Sequence, residues 1–99
     1  MNIHQVRQFA PQIRKIAQKH GISRIYVFGS IARGEPSPKS DVDFLVEMQA
    51  GASLFGAAGF CYEAEKLLGV PVDVVPLSLL PDVDDREFAF RVQQDAVML

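Results

Sequence analysis

The order of two predicted strands around a long helix constrains the fold of this 99-residue chain more than any other feature. Val42, Phe44 and Val46 alternate with residues of the opposite face, which predicts a strand that packs one side against a core. Ser53 is predicted to cap a helix that runs to about Leu68, and residues 71–75 form a further predicted strand. The apolar stripe of this helix consists of Leu54, Ala57, Cys61, Ala64 and Leu68. A strand, a crossover helix and a strand in this order favour parallel pairing of the two strands.

The segment before this unit predicts a helix and a short strand. Apolar residues recur every three or four positions between Ile3 and Ala17, which indicates one helical face. Pro11 lies inside this pattern, so either the helix kinks there or its regular part begins there. Residues 24–28 predict a buried strand that a Gly- and Pro-containing loop over 34–40 joins to the next strand, in antiparallel pairing. The expected fold is therefore α/β, with a small mixed sheet flanked by helices.

The end of the chain predicts one more helix and leaves two possibilities for the tail. Asp84 and Glu87 have the spacing of a capping box that opens this last helix. The apolar residues 96–99 could pair as a short strand or dock on a partner.

Length and charge limit the classes of protein to which the chain can belong. Residues 1–99 are expected to form a single domain, too small to enclose a ligand with a second one. A net charge of -2 excludes a globally basic nucleic-acid binder, and no direct contact with nucleic acid is expected. The sequence shows no leader or long apolar run, and its single cysteine, Cys61, is predicted to be an inert core thiol. These features predict a cytosolic protein without membrane insertion.

The residues with a chemical signature are Gly29-Ser30 and, ten residues later, Asp41-Val42-Asp43. Two residues apart on a strand, Asp41 and Asp43 project from one face with alpha carbons about 6.6 Å apart. Carboxylates so placed can share two divalent cations about 3.5–4 Å apart, as phosphoryl transfer requires, and Mg²⁺ suits such a site. Gly29 permits a close approach of the backbone to a phosphate, to which the Ser30 hydroxyl can donate a hydrogen bond.

Two further residues extend this predicted site. Asp73 lies on the strand predicted to pair with the Asp43 strand, so its carboxylate can enter the same cleft, share a metal and accept the proton of an incoming hydroxyl. For Arg33 a contact with phosphate and a surface ion pair with Glu35 are equally compatible with the sequence.

Three segments together resemble the signature of the polymerase-beta-type nucleotidyltransferase superfamily. They are Phe28–Glu35, Ser40–Val46 and Val72–Val75, and the resemblance extends over about residues 10–80. More closely, the chain resembles the minimal nucleotidyltransferases that act as antitoxins to HEPN-type ribonuclease toxins. It departs from them in residues 51–60, which are rich in Gly and Ala where relatives carry longer, charged side chains.

This resemblance implies a fold, an activity and a partner. It implies the nucleotidyltransferase fold, Gly29 and Ser30 on the triphosphate, Asp41 and Asp43 as metal ligands, and Asp73 as the third carboxylate. The implied reaction is Mg²⁺-dependent transfer of AMP from ATP to a tyrosine of the toxin, with which the protein would form a hetero-oligomer. Two alternatives stay open: a non-catalytic antitoxin that neutralises the toxin by binding alone, and nucleotidyl transfer to an RNA end or a small-molecule hydroxyl.

Overall fold

A four-stranded sheet in the order β3-β2-β1-β4 forms the centre of the computed structural model. The structure describes residues 1–35, 42–82 and 86–99, with the backbone alone at 81 and 82. The strands are β1 (Ile22–Phe28), β2 (Val42–Met48), β3 (Val72–Pro76) and β4 (Val97–Met98). The helices are α1 (Ile3–Gln8), α2 (Ala10–Lys19), α3 (Gly29–Ala32), α4 (Phe55–Leu68) and α5 (Arg86–Asp95), with a 3₁₀ segment at Leu77–Asp82.

The strand pairing confirms the predicted mixed sheet. β1 and β2 pair antiparallel, whereas β2 and β3, which α4 connects, pair parallel. The tail forms β4, which pairs antiparallel with β1 through Tyr26–Met98 and Val27–Val97. Of the two possibilities left open for the tail, the described structure therefore shows the strand.

The N-terminal helical segment is two helices rather than one. The break falls at Phe9, whose φ and ψ of -92° and 2° leave the helical region. Pro11 lies in the first turn of α2, where a backbone N–H would have no intrahelical acceptor. The regular helix therefore begins one residue before the proline. The capping box predicted at Asp84 lies outside the described residues, and α5 begins at Arg86.

Both faces of the sheet are covered in the described part of the chain. The larger core lies between the sheet and helices α2 and α4, and includes Ile13, Val27, Phe44 and Phe60. A smaller cluster on the opposite face contains Phe28, Leu45, Leu80 and Val92, from the sheet, the 3₁₀ segment and α5. The acidic face of β2 is thus partly buried by α5, because Leu45 lies two residues beyond Asp43 on that face.

Helix α4 begins at Phe55, one residue later than a cap at Ser53 predicts, and buries Ala57, Ala64 and Leu68 of the predicted stripe but not Leu54. Ser53 lies two residues before the helix, although its hydroxyl still accepts the Phe55 N–H at 3.1 Å. Leu54, predicted on the buried stripe, is half exposed, while Phe60 is fully buried against the Phe44 ring. No described helix combines the length and apolar character needed to cross a membrane.

The Gly- and Ala-rich stretch has a packing role at the end of α2. A Cβ at Gly56 would overlap the backbone carbonyl of His20, and one at Gly59 would lie 2.6 Å from the His20 ring. The imidazole of His20 in turn contacts the Glu63 carboxylate of α4, to which Lys19 Nζ also donates at 2.8 Å. The missing side chains therefore let the end of α2 lie directly on the backbone of α4.

Candidate active site

The site begins at the turn from β1 into α3. β1 ends at Phe28, and Gly29 follows with φ of +79°, a left-handed conformation that favours glycine. This turn starts the four-residue helix α3 and leaves Ser30 partly exposed at its beginning. Gly29 and Ser30 therefore form a turn from a strand into a helix.

Two of the three predicted carboxylates lie side by side. Asp43 and Asp73 are direct partners in the parallel β2–β3 pairing, so their side chains project from the same face of strands about 4.8 Å apart. Asp43 is also the partner of Phe28 in the antiparallel β1–β2 pairing, one residue before Gly29. The third predicted carboxylate, Asp41, lies outside the described residues.

Gly29 and Asp43 are in close contact across the two strands. A Cβ placed on Gly29 would overlap carboxylate atom Oδ2 of Asp43, closer than real Cβ contacts allow. The absence of a side chain at Gly29 is therefore a condition for the position of the Asp43 carboxylate. It also brings the predicted phosphate-binding turn next to a predicted metal ligand.

Side chains of α4 hold the strand that carries Asp73. The Glu65 carboxylate accepts the N–H of Val72 at 3.0 Å, and the Cys61 thiol donates to the Val72 carbonyl at 3.2 Å. Val72 precedes Asp73 at the outer edge of the sheet, where no further strand is described to take these groups. Burial, with the negative charges of Glu65 and Asp73, raises the pKa of Cys61, which disfavours a reactive thiolate.

A cleft of about 310 Å³ opens beside the Gly29 turn. One wall is the sheet end and α3, and the other is α5, to which no sequence motif of the predicted site belongs. The lining residues are Phe28, Gly29, Ser30, Arg33, Asp43, Phe88, Arg91, Val92 and Asp95. The α5 members are spaced by three, one and three residues, which places them on one helical face; this spacing is the signal that could have identified them.

Arg33 makes the ion pair that the sequence allowed and a second one that it did not suggest. Its guanidinium lies 3.3 Å from Glu35 and 2.5 Å from Asp95 of α5. The hydrogen bond with Asp95 raises the pKa of Arg33 above its usual value. Arg33 thus lies in the cleft and links α3 to α5, and its predicted contact with phosphate remains a prediction.

The donor set fits a magnesium ion in part. Asp43 and Asp73 offer carboxylate oxygens, the ligands that Mg²⁺ prefers, and Mg²⁺ commonly takes only one or two protein carboxylates. Within the described ranges, no group of three or more His, Cys, Asp and Glu side chains could hold a metal ion. The described residues therefore supply two neighbouring carboxylates, and the assignment of Asp41 as a ligand stays a prediction.

Comparisons with known proteins bear on this geometry. Residues 10–96 match the model of the nucleotidyltransferase domain. A Methanocaldococcus jannaschii protein, provisionally named protein adenylyltransferase MJ0435, is 41% identical over 87 residues, which cover 87% of this chain and 90% of that protein. Protein adenylyltransferase MntA of Thermococcus cleftensis is 39% identical over 67 residues, 68% of each chain.

Solved structures agree with the family match. A provisionally assigned minimal nucleotidyltransferase superposes with a TM-score of 0.79 and 33% identity, covering 100% of this chain and 97% of that one. A toxin–antitoxin complex with AMP-PNP contains a chain with the same fold, with a TM-score of 0.67 and 20% identity over 89% of this chain and 69% of that one. The chain belongs to the nucleotidyltransferase domain family, among the relatives of protein adenylyltransferases.

Proposed function

We propose that the protein is an antitoxin that transfers AMP from ATP to a tyrosine hydroxyl of a toxin, a HEPN-type ribonuclease. The observation that carries the proposal is the pairing of Asp43, which lines the cleft beside the Gly29 turn, with Asp73 on the neighbouring strand. Neighbouring carboxylates repel one another and would repel a triphosphate, so their place beside a turn suited to phosphate is explained if they bind cations that also bind the triphosphate.

Two findings on similar proteins support the substrate and the partner. The relatives at 41% and 39% identity carry the name protein adenylyltransferase, which describes transfer of AMP to a protein. The structural neighbour solved with AMP-PNP, an ATP analogue, is part of a toxin–antitoxin complex. The HEPN type of the toxin and its tyrosine as acceptor rest on the family resemblance of the sequence.

Three residues of this chain would bind the triphosphate. Gly29, which has no side chain, leaves the backbone open to a phosphate, and Ser30 can donate its hydroxyl from the start of α3. Arg33 faces the same cleft and can add charge-assisted hydrogen bonds once it exchanges a carboxylate partner for a phosphate oxygen.

The carboxylates would serve the transfer itself. Asp43 and Asp73, with Asp41, would hold Mg²⁺, which neutralises charge on the phosphates and orients them when bound. The acceptor oxygen attacks the α-phosphorus, and the bond to the oxygen that bridges the α- and β-phosphates breaks. AMP is then joined to the acceptor, pyrophosphate leaves, and Asp73, exposed at the sheet edge, accepts the hydroxyl proton.

Intact-mass measurement of the partner tests this proposal. The purified protein is incubated with Mg²⁺-ATP and the product of the adjacent gene, and the mass of that product is recorded. We expect a gain of one or more AMP groups, which Asp43→Asn abolishes because it removes a carboxylate charge from the site. Glu47→Gln is the matched control. It removes one carboxylate from the same strand, four residues beyond Asp43, and leaves the site intact.

The other possible results separate the alternatives. In one result, the protein forms a stable complex whose partner shows no change in mass, while Asp43→Asn neutralises the toxin as well as the unsubstituted protein does. That result would contradict AMP transfer and indicate neutralisation by binding alone. If the partner is not modified and an acceptor screen detects AMP transfer to RNA ends or small-molecule hydroxyls, the proposed tyrosine acceptor is wrong.

A further inference from the structure

The wall that α5 contributes to the cleft contains an accessible aromatic ring. Three apolar residues line the cleft: Phe28 and Val92, which are 5% and 1% exposed, and Phe88, which is 39% exposed. Phe28 and Val92 belong to the small core on that face, so they have little surface to offer a ligand. Among the lining residues described, Phe88 is therefore the apolar group with substantial surface available.

The Phe88 ring packs against a buried ring of β1. It packs against Phe28 in an edge arrangement, with ring centroids 6.5 Å apart and planes at 80°. Phe28 is the residue immediately before Gly29, so the ring lies over the end of β1, close to the predicted phosphate-binding turn. A ring held in this way loses less conformational freedom when a ligand packs on it than a free surface side chain would.

Both sides of the cleft carry polar groups, including Arg91 and Asp95 on the α5 side, but the exposed aromatic ring lies on the α5 side alone among the described lining residues. Gly29, Ser30 and the Asp43 carboxylate lie together on the sheet side, the side suited to phosphates and cations. Phe88 lies on the α5 side, one helical turn from Arg91, which also lines the cleft. A ligand with a charged end and a flat apolar end would match both sides.

We propose that Phe88 is the surface on which the nucleoside base stacks, so that α5 acts as the base-binding wall of the cleft. This inference rests on the proposed nucleotidyl transfer, because it names the group that recognises the base of the same nucleotide. Stacking on an aromatic ring tolerates any base, since every base has an accessible π-face. Phe88 therefore contributes affinity for the nucleoside and little preference among bases.

A tryptophan substitution tests the stacking directly, because the chain contains no tryptophan. In Phe88→Trp, we expect the indole fluorescence to be quenched on titration with Mg²⁺-ATP and with Mg²⁺-GTP, and not with inorganic tripolyphosphate, which lacks a base. Phe90→Trp is the matched control: it lies on the same helix, is 63% exposed and does not line the cleft, so its fluorescence should not respond. Circular dichroism checks that both variants fold.

Calorimetry on the unsubstituted chain separates failure of this inference from failure of the proposed function. Binding of ATP without quenching of the Phe88→Trp signal, or equal quenching of Phe90→Trp, would overturn the stacking and leave nucleotidyl transfer intact. Absence of any ATP binding would overturn both. Quenching by the toxin partner alone would make Phe88 a protein contact instead.

A second variant gives an independent kinetic readout. Phe88→Ala should raise the KM for ATP about tenfold with a small change in kcat, because stacking acts on binding of the nucleoside. Phe88→Tyr keeps an aromatic ring, so its KM for ATP should be close to that of the unsubstituted protein. An unchanged KM in Phe88→Ala would contradict the proposal.

Discussion

At the scale of single residues, Gly29 is constrained in two ways. Its φ of +79° disfavours any side chain, and a Cβ there would also displace the Asp43 carboxylate. Gly51 has the same φ of +79° but no atom within 4 Å of the position of a Cβ. The two glycines therefore separate backbone strain from steric displacement of the site.

We predict different outcomes for alanine at these two positions. Gly51→Ala should lower the free energy of unfolding by about 1–2 kcal/mol, the cost of a left-handed alanine, and leave AMP transfer unchanged. Gly29→Ala should cost more and reduce kcat/KM about 100-fold, because it shifts a predicted metal ligand. Urea denaturation and single-turnover transfer rates measure both effects. Equal losses of kcat/KM in the two variants would show that the Gly29–Asp43 contact has no part in the activity.

At the scale of elements, the contact between α2 and α4 explains a departure from the family pattern. Six of residues 51–60 are Gly or Ala and none is charged, and Gly56 and Gly59 lie where His20 reaches the α4 backbone. The same junction contains the carboxylate of Glu63, which contacts both Lys19 and His20. Hydrogen bonds from Lys19 and then His20 hold the pKa of Glu63 below its ordinary value.

This lowered pKa predicts how stability depends on pH. Because the folded state binds the Glu63 proton less tightly than the unfolded chain, the stabilisation is complete above the ordinary Glu pKa of about 4.3. It is lost as the pH falls through the lower value of the folded state. Glu63→Gln should therefore lower the Tm at pH 7, and the difference from the unsubstituted protein should shrink between about pH 5 and pH 3.

Thermal denaturation across this pH range measures the effect. Glu47→Gln is the control, since Glu47 makes no ion pair with any described residue. A Tm difference for Glu63→Gln that stays constant from pH 7 to pH 3 would show that the junction does not depend on the charge of this carboxylate.

At the scale of the whole molecule, the sheet brings together charges that are far apart in the sequence. Asp43 and Asp73 are 30 positions apart and become direct partners through the β2–α4–β3 crossover. Helix α5 then returns to the same face and adds Asp95, which is paired with Arg33, so the neighbouring carboxylates of Asp43 and Asp73 concentrate negative charge beside the place proposed for a triphosphate. Like charges so close oppose the binding of an anion unless cations are present.

We therefore predict that ATP binding requires a divalent cation. Titration calorimetry should give an affinity at least tenfold higher with Mg²⁺ than with EDTA. In Asp43→Asn this dependence should weaken, because one of the repelling and cation-binding charges is gone. Equal affinity of the unsubstituted protein in Mg²⁺ and EDTA would contradict a metal site at these carboxylates.

Local patterns in the sequence determined most of the elements and pointed to the residues of the predicted site. The two-residue alternation of β2, the 3.6-residue period of the helices and the turn chemistry of Gly29 act over a few residues, so they can be recognised without a structure. The crossover order fixed the parallel pairing, and with it the approach of Asp73 to Asp43. The sequence did not specify the break between α1 and α2 at Phe9, because a proline such as Pro11 fits equally well at a kink or in the first turn of a helix.

Tertiary structure alone decided which elements meet across the cleft. The cleft wall formed by α5, the contact of Arg33 with Asp95 and the pairing of β4 with β1 all join segments that no local period connects. Likewise, the burial of Phe60 and exposure of Leu54 depend on which side of α4 faces the sheet. These choices follow from the packing of complete side-chain surfaces against one another, which the periodicity of a single segment does not contain.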